Sequence, residues 1–352
     1  MTPRQITRRG LLTLAGAFAA YGTLRRAALY ADTTDLGPLS KTAATGQWTV
    51  TDHEETWHDG TRVRDVPVRL HVPSNGPSAA KGTILFSHGL GGNLDSGGVW
   101  TKHWASWGYL TVNVQHPGSD ESIWRGKLGQ GKTLMQLMTA EATAEQDIAR
   151  FVDIKFVIDQ LLARAASDAI LAQMNLTNIG MSGHSFGALT TLGVAGESFP
   201  VNGVYSAAAR EKRIIAAIAM SPDVTGLPDT WPSSYGSIQI PFMSLTGTQD
   251  GDVIGNGATP DRRKKPYLNM APGEKFLLVL SGVNHMFYNN PESNGLRILK
   301  VMTGTPQEEQ IVKGLSVEFW DAFLTQNSSA HDILHNVQPI NALVAPGSYS
   351  VR

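Results

Sequence analysis

The sequence contains no cysteine among its 352 residues. This absence excludes disulfide bonds, a thiol nucleophile, lipid attachment through cysteine and zinc sites built on cysteine. Charge is scarce as well, since charged residues make up 17% of the chain and the formal net charge is −1. Without an excess of basic residues, we expect no nucleic-acid partner. Apolar residues, at 41%, are sufficient for an ordinary globular core.

The N-terminal apolar stretch, residues 11–24, is too short to span a bilayer comfortably. It follows Arg8 and Arg9 in TRRGLL, a pattern typical of twin-arginine export signals. We therefore predict an export signal over residues 1–31, with cleavage near Ala31, and a periplasmic or secreted mature protein without a stable membrane span. A mitochondrial-type leader and an ordinary secretory signal are the alternatives.

From residue 47 onward, short apolar runs alternate with helical patterns. Continuous apolar runs indicate strands buried on both faces, as in a parallel sheet covered by helices. We predict one α/β domain over residues 47–326, with a mostly parallel sheet of about eight strands and helices on both faces. One long periodic stretch covers residues 132–173, and the last helix runs from about 306 to 326. Residues 32–46 and 327–352 are predicted to be loosely structured ends, the second a C-terminal tail.

The segment GMSGHSFGALTT, residues 180–191, contains the pattern G-x-S-x-G around Ser185. A plain turn between a strand and a helix is one interpretation, because glycine and serine are common there. The other is a nucleophile elbow, in which the serine lies on a strained turn and the glycines let strand and helix approach closely. The rest of the chain decides between them.

A serine nucleophile needs a base and an acid, and both can be assigned to the ends of later strands. His285 follows a buried run in SGVNHMF and is the predicted base. Asp250, at the end of TGTQD, is the preferred acid, with Asp223 as the main competitor and Asp252 as a third choice. A purely structural role is the alternative, in which these aspartates only start turns and take no part in catalysis.

The oxyanion of an acyl-transfer intermediate needs backbone N–H donors. Phe186, directly after the serine, is one predicted donor, and Leu90 in the SHGLGG loop is the other. His88 is expected to brace that loop through hydrogen bonds without transferring a proton. Trp124 is either part of an acyl pocket or packed in the core.

No metal or organic cofactor is expected from the sequence. His331 and His335 are four residues apart and could pair on a helix, but no third ligand is apparent. The segment 250–261 resembles a calcium-binding loop, yet Ile254 occupies a position that requires an oxygen ligand.

Three segments carry a resemblance to a known family: FSHGLGG (86–92), GYLTVNVQHPGSD (108–120) and GHSFGALT (183–190). They resemble the plasma-type platelet-activating-factor acetylhydrolases and their bacterial dienelactone-hydrolase-like relatives, over roughly residues 63–323. The resemblance implies a serine esterase that removes short or oxidised acyl groups. True dienelactone hydrolases use a cysteine nucleophile, which this chain lacks.

The family motif implies Ser185 as nucleophile, His285 as base, and Leu90 and Phe186 as oxyanion donors. The acid departs from the plasma-type pattern, which places it after the sixth strand, near Asp223 here. The chain order of serine, acid and histidine, with the HG loop upstream, is that of the α/β-hydrolase fold. We therefore expect an α/β-hydrolase fold over residues 47–326 and a serine carboxylic-ester hydrolase that acts through an acyl-enzyme on small or short-acyl ester substrates. A polyester or cutin-type hydrolase and a serine peptidase are alternatives within enzymes, and an inactive binding module of the same fold is the alternative outside them.

Overall fold

Nine strands form one open, mostly parallel sheet within the part of the chain that the computed structural model describes, residues 35–128, 130–201, 204–289 and 303–352. The predicted export signal lies outside these residues. The chain divides after Leu36, and the unit from Gly37 onward holds all of the elements below. The strands are β1 Thr49–Asp59, β2 Arg64–Ser74, β3 Gly82–Ser87, β4 Tyr109–Val114, β5 Ile179–His184, β6 Ile214–Met220, β7 Phe242–Gln249, β8 Lys275–Asn284 and β9 Ser348–Val351.

The spatial order of the strands is β1-β2-β4-β3-β5-β6-β7-β8-β9. Pairing is parallel from β4 through β8 and antiparallel for β1–β2, β2–β4 and β8–β9. A separate antiparallel pair joins Phe199–Val201 to Val204–Ser206. Each of β3, β4 and β5 is a fully buried run, which is why these strands carry apolar residues without alternation.

The longer helices connect or flank the strands. Those of eight residues or more within the described ranges are α1 Gly98–Ser106, α2 Leu134–Glu141, α3 Ala144–Arg164, α4 Phe186–Ala195, α5 Pro306–Leu324, α6 Ser328–His335 and α7 Val337–Val344. Shorter helices occupy Ser40–Ala43, Trp231–Tyr235, Pro260–Arg263 and Lys265–Asn269, and 3-10 turns occupy Gly37–Leu39, Glu121–Ile123, Leu171–Gln173, Pro228–Thr230 and His285–Asn289.

The crossovers assign the helices to the faces of the sheet. The chain moves in one direction from β3 to β4 and in the other from β4 to β5. Because parallel crossovers are right-handed, α1 and α3 lie on opposite faces. Helix α1 contacts α5, and α3 contacts α4, so each face has a helical layer.

The α/β class is therefore confirmed, with nine strands in place of about eight. The single helical stretch predicted over residues 132–173 is two helices, α2 and α3, because each has its own N-cap. Thr133 accepts a hydrogen bond from the backbone N–H of Gln136, and Thr143 accepts one from that of Gln146. A new cap starts a new helix.

The prediction of a loosely structured tail over residues 327–352 is wrong. These residues form α6, α7 and the edge strand β9, which pairs with β8 from Phe276↔Val351 to Val279↔Ser348. Asn327 caps α6 by accepting from the N–H of Ala330. Its elements are short, with helices of eight residues and a strand of four, but its apolar residues Leu334, Ile340 and Tyr349 are buried.

Candidate active site

Ser185 lies on a sharp turn between β5 and α4. Its φ is 57° and its ψ is −115°, a conformation that non-glycine residues rarely adopt. A Cβ at Gly187 would lie 1.9 Å from the carbonyl oxygen of Ser87, and one at Gly183 would lie 2.2 Å from that of Gly187. The two glycines thus allow β3, β5 and α4 to meet at backbone contact. This geometry is that of a nucleophile elbow and is not that of a plain turn.

His285 reaches Ser185 from the end of β8. The distance from His285 Nε2 to Ser185 Oγ is 2.8 Å, and that from His285 Nδ1 to Asp250 Oδ1 is 2.9 Å. An ionised carboxylate only accepts, so Nδ1 carries the proton and Nε2 is free to accept from the serine hydroxyl. All three residues lie at the carboxyl ends of strands β5, β7 and β8, where sites form in parallel sheets.

Asp250 is fully buried and held from several sides. Its Oδ2 accepts hydrogen bonds from the hydroxyls of Ser221, at 2.6 Å, and Thr246, at 2.8 Å. The guanidinium Nε of Arg263 lies 3.2 Å from Oδ1 as an ion pair, although its direction is too oblique for a good hydrogen bond. These contacts fix the carboxylate plane toward His285.

The competing acids have other partners. Asp223 accepts from the backbone N–H of Val224, the amide of Asn256 and the guanidinium of Arg262, and none of its hydrogen bonds goes to His285. Asp252 accepts from three backbone N–H groups within residues 254–257, so it organises the turn. The carboxylate within hydrogen-bonding reach of His285 is therefore Asp250.

The pKa values of the pair favour a neutral imidazole next to a charged carboxylate. Burial lowers the pKa of His285 below its ordinary value, and the hydrogen bond to Asp250 offsets this only in part. Burial raises the pKa of Asp250, but the hydrogen bond and charge of His285 and the charge of Arg263 lower it by more. At neutral pH the imidazole can therefore accept a proton from Ser185.

Two backbone N–H groups near the serine have no acceptor among the described residues. In the described part of the chain, neither Leu90 nor Phe186 donates its N–H to another group, whereas Gly91 and Gly92 do. A Cβ at Gly89 would lie 3.4 Å from Cβ of Ser185, so the SHGLGG loop passes directly beside it. Free N–H groups at this place are suited to stabilise an oxyanion.

His88 fixes the orientation of the Gly89–Leu90 peptide. Its Nε2 accepts from the backbone N–H of His116, so its Nδ1 carries the proton and donates to the carbonyl oxygen of Gly89 at 2.6 Å. The N–H of Leu90 belongs to the same peptide unit and points the opposite way. Burial lowers the pKa of His88 well below its ordinary value, which keeps this imidazole neutral.

Arg150 supports the SHGLGG loop through hydrogen bonds of its side chain. The sequence did not predict this role. Its guanidinium is fully buried and donates to the carbonyl oxygen of His88 at 2.7 Å and to the hydroxyl of Ser119 at 2.8 Å. It also lies 4.5 Å from the ring centroid of Phe186, a cation–π distance. Burial lowers its pKa to about 9, so it stays charged at neutral pH. In the sequence, Arg150 shows only as a charge within an apolar helical pattern.

His184 is a second unpredicted contributor. Its Nε2 donates to the backbone carbonyl oxygen of His285 at 2.8 Å, and the two ring centroids are 4.7 Å apart. The ring is almost fully buried, and burial lowers its pKa well below the ordinary value. His184 thus positions the backbone of His285 against the elbow.

A small apolar cluster lies beside the two free N–H groups. Leu90, Ile123 and Phe186 are buried in it, and the half-buried Trp124 and Met138 pack against them. The indole N–H of Trp124 donates to the carbonyl oxygen of Gly91 at 2.8 Å. Trp124 therefore contacts this cluster instead of the main core.

Comparison with known proteins adds no assignment. No protein-family model matches the chain, and no curated protein matches it.

Among the described residues, no helix combines the length and apolar character needed to cross a membrane.

Proposed function

We propose that this chain is a serine carboxylic-ester hydrolase with an α/β-hydrolase fold, similar in chemistry to the plasma-type acetylhydrolases that its motifs resemble. The observation that carries the proposal is the pair of hydrogen bonds that link Ser185 to His285 and His285 to Asp250, with the serine on a strained elbow. The order of β1 to β8, with β1 and β2 antiparallel at one edge, also supports it.

In the proposed reaction, Ser185 Oγ attacks the ester carbonyl carbon while its proton moves to Nε2 of His285. Asp250 stabilises the resulting imidazolium through Nδ1. The N–H groups of Leu90 and Phe186 donate to the oxyanion, each worth about 3–4 kcal/mol of barrier. The imidazolium then protonates the departing alcohol, which leaves an acyl-enzyme. Water, deprotonated by His285, hydrolyses this ester and releases the acid and the free serine.

Small or short-acyl esters are the proposed substrates. The apolar cluster around Leu90 and Trp124 offers an acyl group a limited apolar contact surface beside the oxyanion donors. The connection between β6 and β7, residues 221–241, holds only a 3-10 turn and the short helix Trp231–Tyr235. Such a connection is too small for a large lid, which long-chain lipases commonly need.

Export through the twin-arginine pathway is part of the proposal, and it concerns residues outside the described ranges. The pair Arg8 and Arg9 before a short apolar stretch supports it, as does the lack of cysteine, because a chain folded before export gains nothing from disulfides. The proposed location is the periplasm or the extracellular medium.

The test is covalent labelling by a fluorophosphonate together with turnover of p-nitrophenyl acetate. We expect the wild type to be labelled and active, and Ser185→Ala to lose both. Ser182→Ala is the matched control, because this buried serine of the same strand has a hydroxyl without a partner among the described residues. An unlabelled, inactive wild type would instead indicate a binding module.

An acyl-chain series from acetate to palmitate then tests the substrate class. We expect kcat/KM to be highest for the shortest chains. Parallel assays on polyester films and on peptide substrates separate the two alternatives, since a cutin-type hydrolase degrades the film and a peptidase cleaves the peptide.

A further inference from the structure

Three metal-ligating side chains converge at the end of the sheet opposite Ser185. We call Glu274, His331 and His335 the His–Glu cluster. His331 Nε2 lies 3.2 Å from Glu274 Oε1, and His335 Nε2 lies 3.0 Å from Glu274 Oε2. One ligand atom from each residue can be chosen so that all lie within 4.8 Å of one another. The structure thus supplies the third ligand that the sequence did not reveal.

The backbone directs these groups to one point. His331 and His335 are four residues apart on α6, so they lie on the same face of the helix. Glu274 precedes β8 with a φ of 53°, a left-handed conformation that is uncommon for glutamate. Its carbonyl oxygen accepts from the N–H of Phe242 in β7, which holds this turn in place.

Aromatic packing limits the movement of both imidazoles. The His331 ring lies edge-on to Phe323 at 6.0 Å between centroids, and the His335 ring lies edge-on to Phe276 at 5.6 Å. The two imidazoles stack on each other at 4.4 Å. The side chains of His331, His335 and Glu274 are 42%, 38% and 36% exposed, so an ion from solvent can reach them.

We propose that the His–Glu cluster binds one divalent transition-metal ion, with Zn²⁺ as the best fit. Two imidazole nitrogens and a carboxylate oxygen, with water as a fourth ligand, are a common zinc donor set. A tetrahedron with bonds of about 2.1 Å has edges of about 3.4 Å. His331 Nε2 lies near this distance from Oε1 of Glu274, and His335 Nε2 lies near it from Oε2. One carboxylate oxygen and both nitrogens lie within 4.8 Å of one another, so small side-chain rotations would complete the site. Without the ion, each Nε2–H donates to the Glu274 carboxylate. When the ion binds, the proton of each imidazole moves to Nδ1, and the free Nε2 becomes the ligand.

The ion would act as a structural link. It would tie α6 to the turn before β8, where the N–H groups of Gly273 and Lys275 also donate to the carbonyl oxygen of Arg352 after β9. Glu274 and His285 lie at opposite ends of the ten-residue β8, about 30 Å apart. Metal binding here is therefore independent of the proposed ester hydrolysis.

The test is calorimetric titration of the chelator-treated, dialysed protein with ZnCl₂, joined to thermal unfolding. We expect one ion per chain. At a free Zn²⁺ concentration of about 100 times Kd, the unfolding midpoint should rise by about 4 °C. Substitution of Co²⁺ should give the intense visible absorption of a tetrahedral site. Chelation should leave p-nitrophenyl acetate turnover unchanged.

The variants His331→Gln, His335→Gln and Glu274→Gln should each weaken Zn²⁺ binding by about tenfold or more, because each removes a ligand. His58→Gln is the control, since His58 also pairs with a carboxylate, that of Asp65 at 2.7 Å, but belongs to no group of three potential metal ligands within the part of the chain that the structure describes. It should bind Zn²⁺ as the wild type does. A wild type that binds no Zn²⁺, or binding that survives all three substitutions, overturns the proposal.

Discussion

Replacing Asp250 by asparagine tests the proposed acid most directly. Oδ2 of Asp250 accepts from the hydroxyls of Ser221 and Thr246, while Oδ1 faces Nδ1 of His285. In Asp250→Asn the two hydroxyl donors favour the amide oxygen on their side, so the NH₂ group turns toward His285. The imidazole must then accept on Nδ1 and carry its proton on Nε2, where it cannot accept from Ser185.

The size of the loss follows from the same contacts. A hydrogen bond of 2.9 Å places the carboxylate and imidazolium charges about 4 Å apart. At an effective dielectric constant of about 20, their attraction is about 4 kcal/mol, or roughly a thousandfold in rate. The wrong tautomer adds to this. We expect kcat to fall by about 10³- to 10⁴-fold.

The assay is steady-state hydrolysis of p-nitrophenyl acetate, with circular dichroism and the unfolding midpoint as checks on folding. Asp223→Asn is the matched comparison, because Asp223 hydrogen-bonds to Val224, Asn256 and Arg262 and makes no hydrogen bond to His285. Its kcat should stay within about fivefold of the wild type, since Asp223 acts on His285 only through its charge and has no hydrogen bond in the Ser185–His285–Asp250 chain. If Asp223→Asn alone lost several orders of magnitude, or if Asp250→Asn kept most of its activity, the assignment of the acid would be refuted.

Three further predictions concern pH and packing. Because burial lowers the pKa of His285, the acid limb of kcat/KM should have its midpoint below pH 6.5, and a pH–rate profile with a higher midpoint contradicts this. Gly187→Ala should destabilise the fold by about 3 kcal/mol or more and abolish turnover, because the added Cβ would lie 1.9 Å from the carbonyl oxygen of Ser87. Gly60→Ala is the control, since a Cβ there has no atom within 4 Å. In denaturant titrations it should unfold as the wild type does. Burial raises the pKa of Glu197 from 4.5 to about 8, so between these values the folded state binds a proton that the unfolded state lacks, and stability falls as pH rises. Glu197→Gln should flatten that fall in denaturant titrations, and an unchanged slope would show that Glu197 is charged when buried.

Much of the fold follows from local signals. β3 and β4 are largely apolar and are followed by loops that contain Gly, and β5 ends at the G-x-S-x-G motif, so their existence and parallel arrangement are predictable. The four-residue strand β9 is not, because a segment so short has no period of its own and is defined only by its pairing with β8. The break between α2 and α3 depends on a single cap at Thr143.

In the candidate active site, too, some residues can be predicted from local sequence and others depend on distant contacts. Ser185 and His285 stand out because each follows a buried run and lies in a loop of small residues. The sequence favours Asp250 as the acid but does not exclude Asp223, since both end apolar runs and only the path of the chain decides which carboxylate reaches the imidazole. The supporting role of Arg150 depends on contacts with residues 31 to 63 positions away.

The backbone at Ser185 has a practical consequence for protein engineering. A serine held at φ 57° costs the folded chain about 1–3 kcal/mol, which glycine would not incur. A laboratory selection for heat resistance alone would therefore enrich Ser185→Gly, a variant with a more relaxed turn and no hydroxyl. Directed evolution of the proposed hydrolase must therefore score turnover in every round, because at this position thermal stability and the proposed reaction favour different residues.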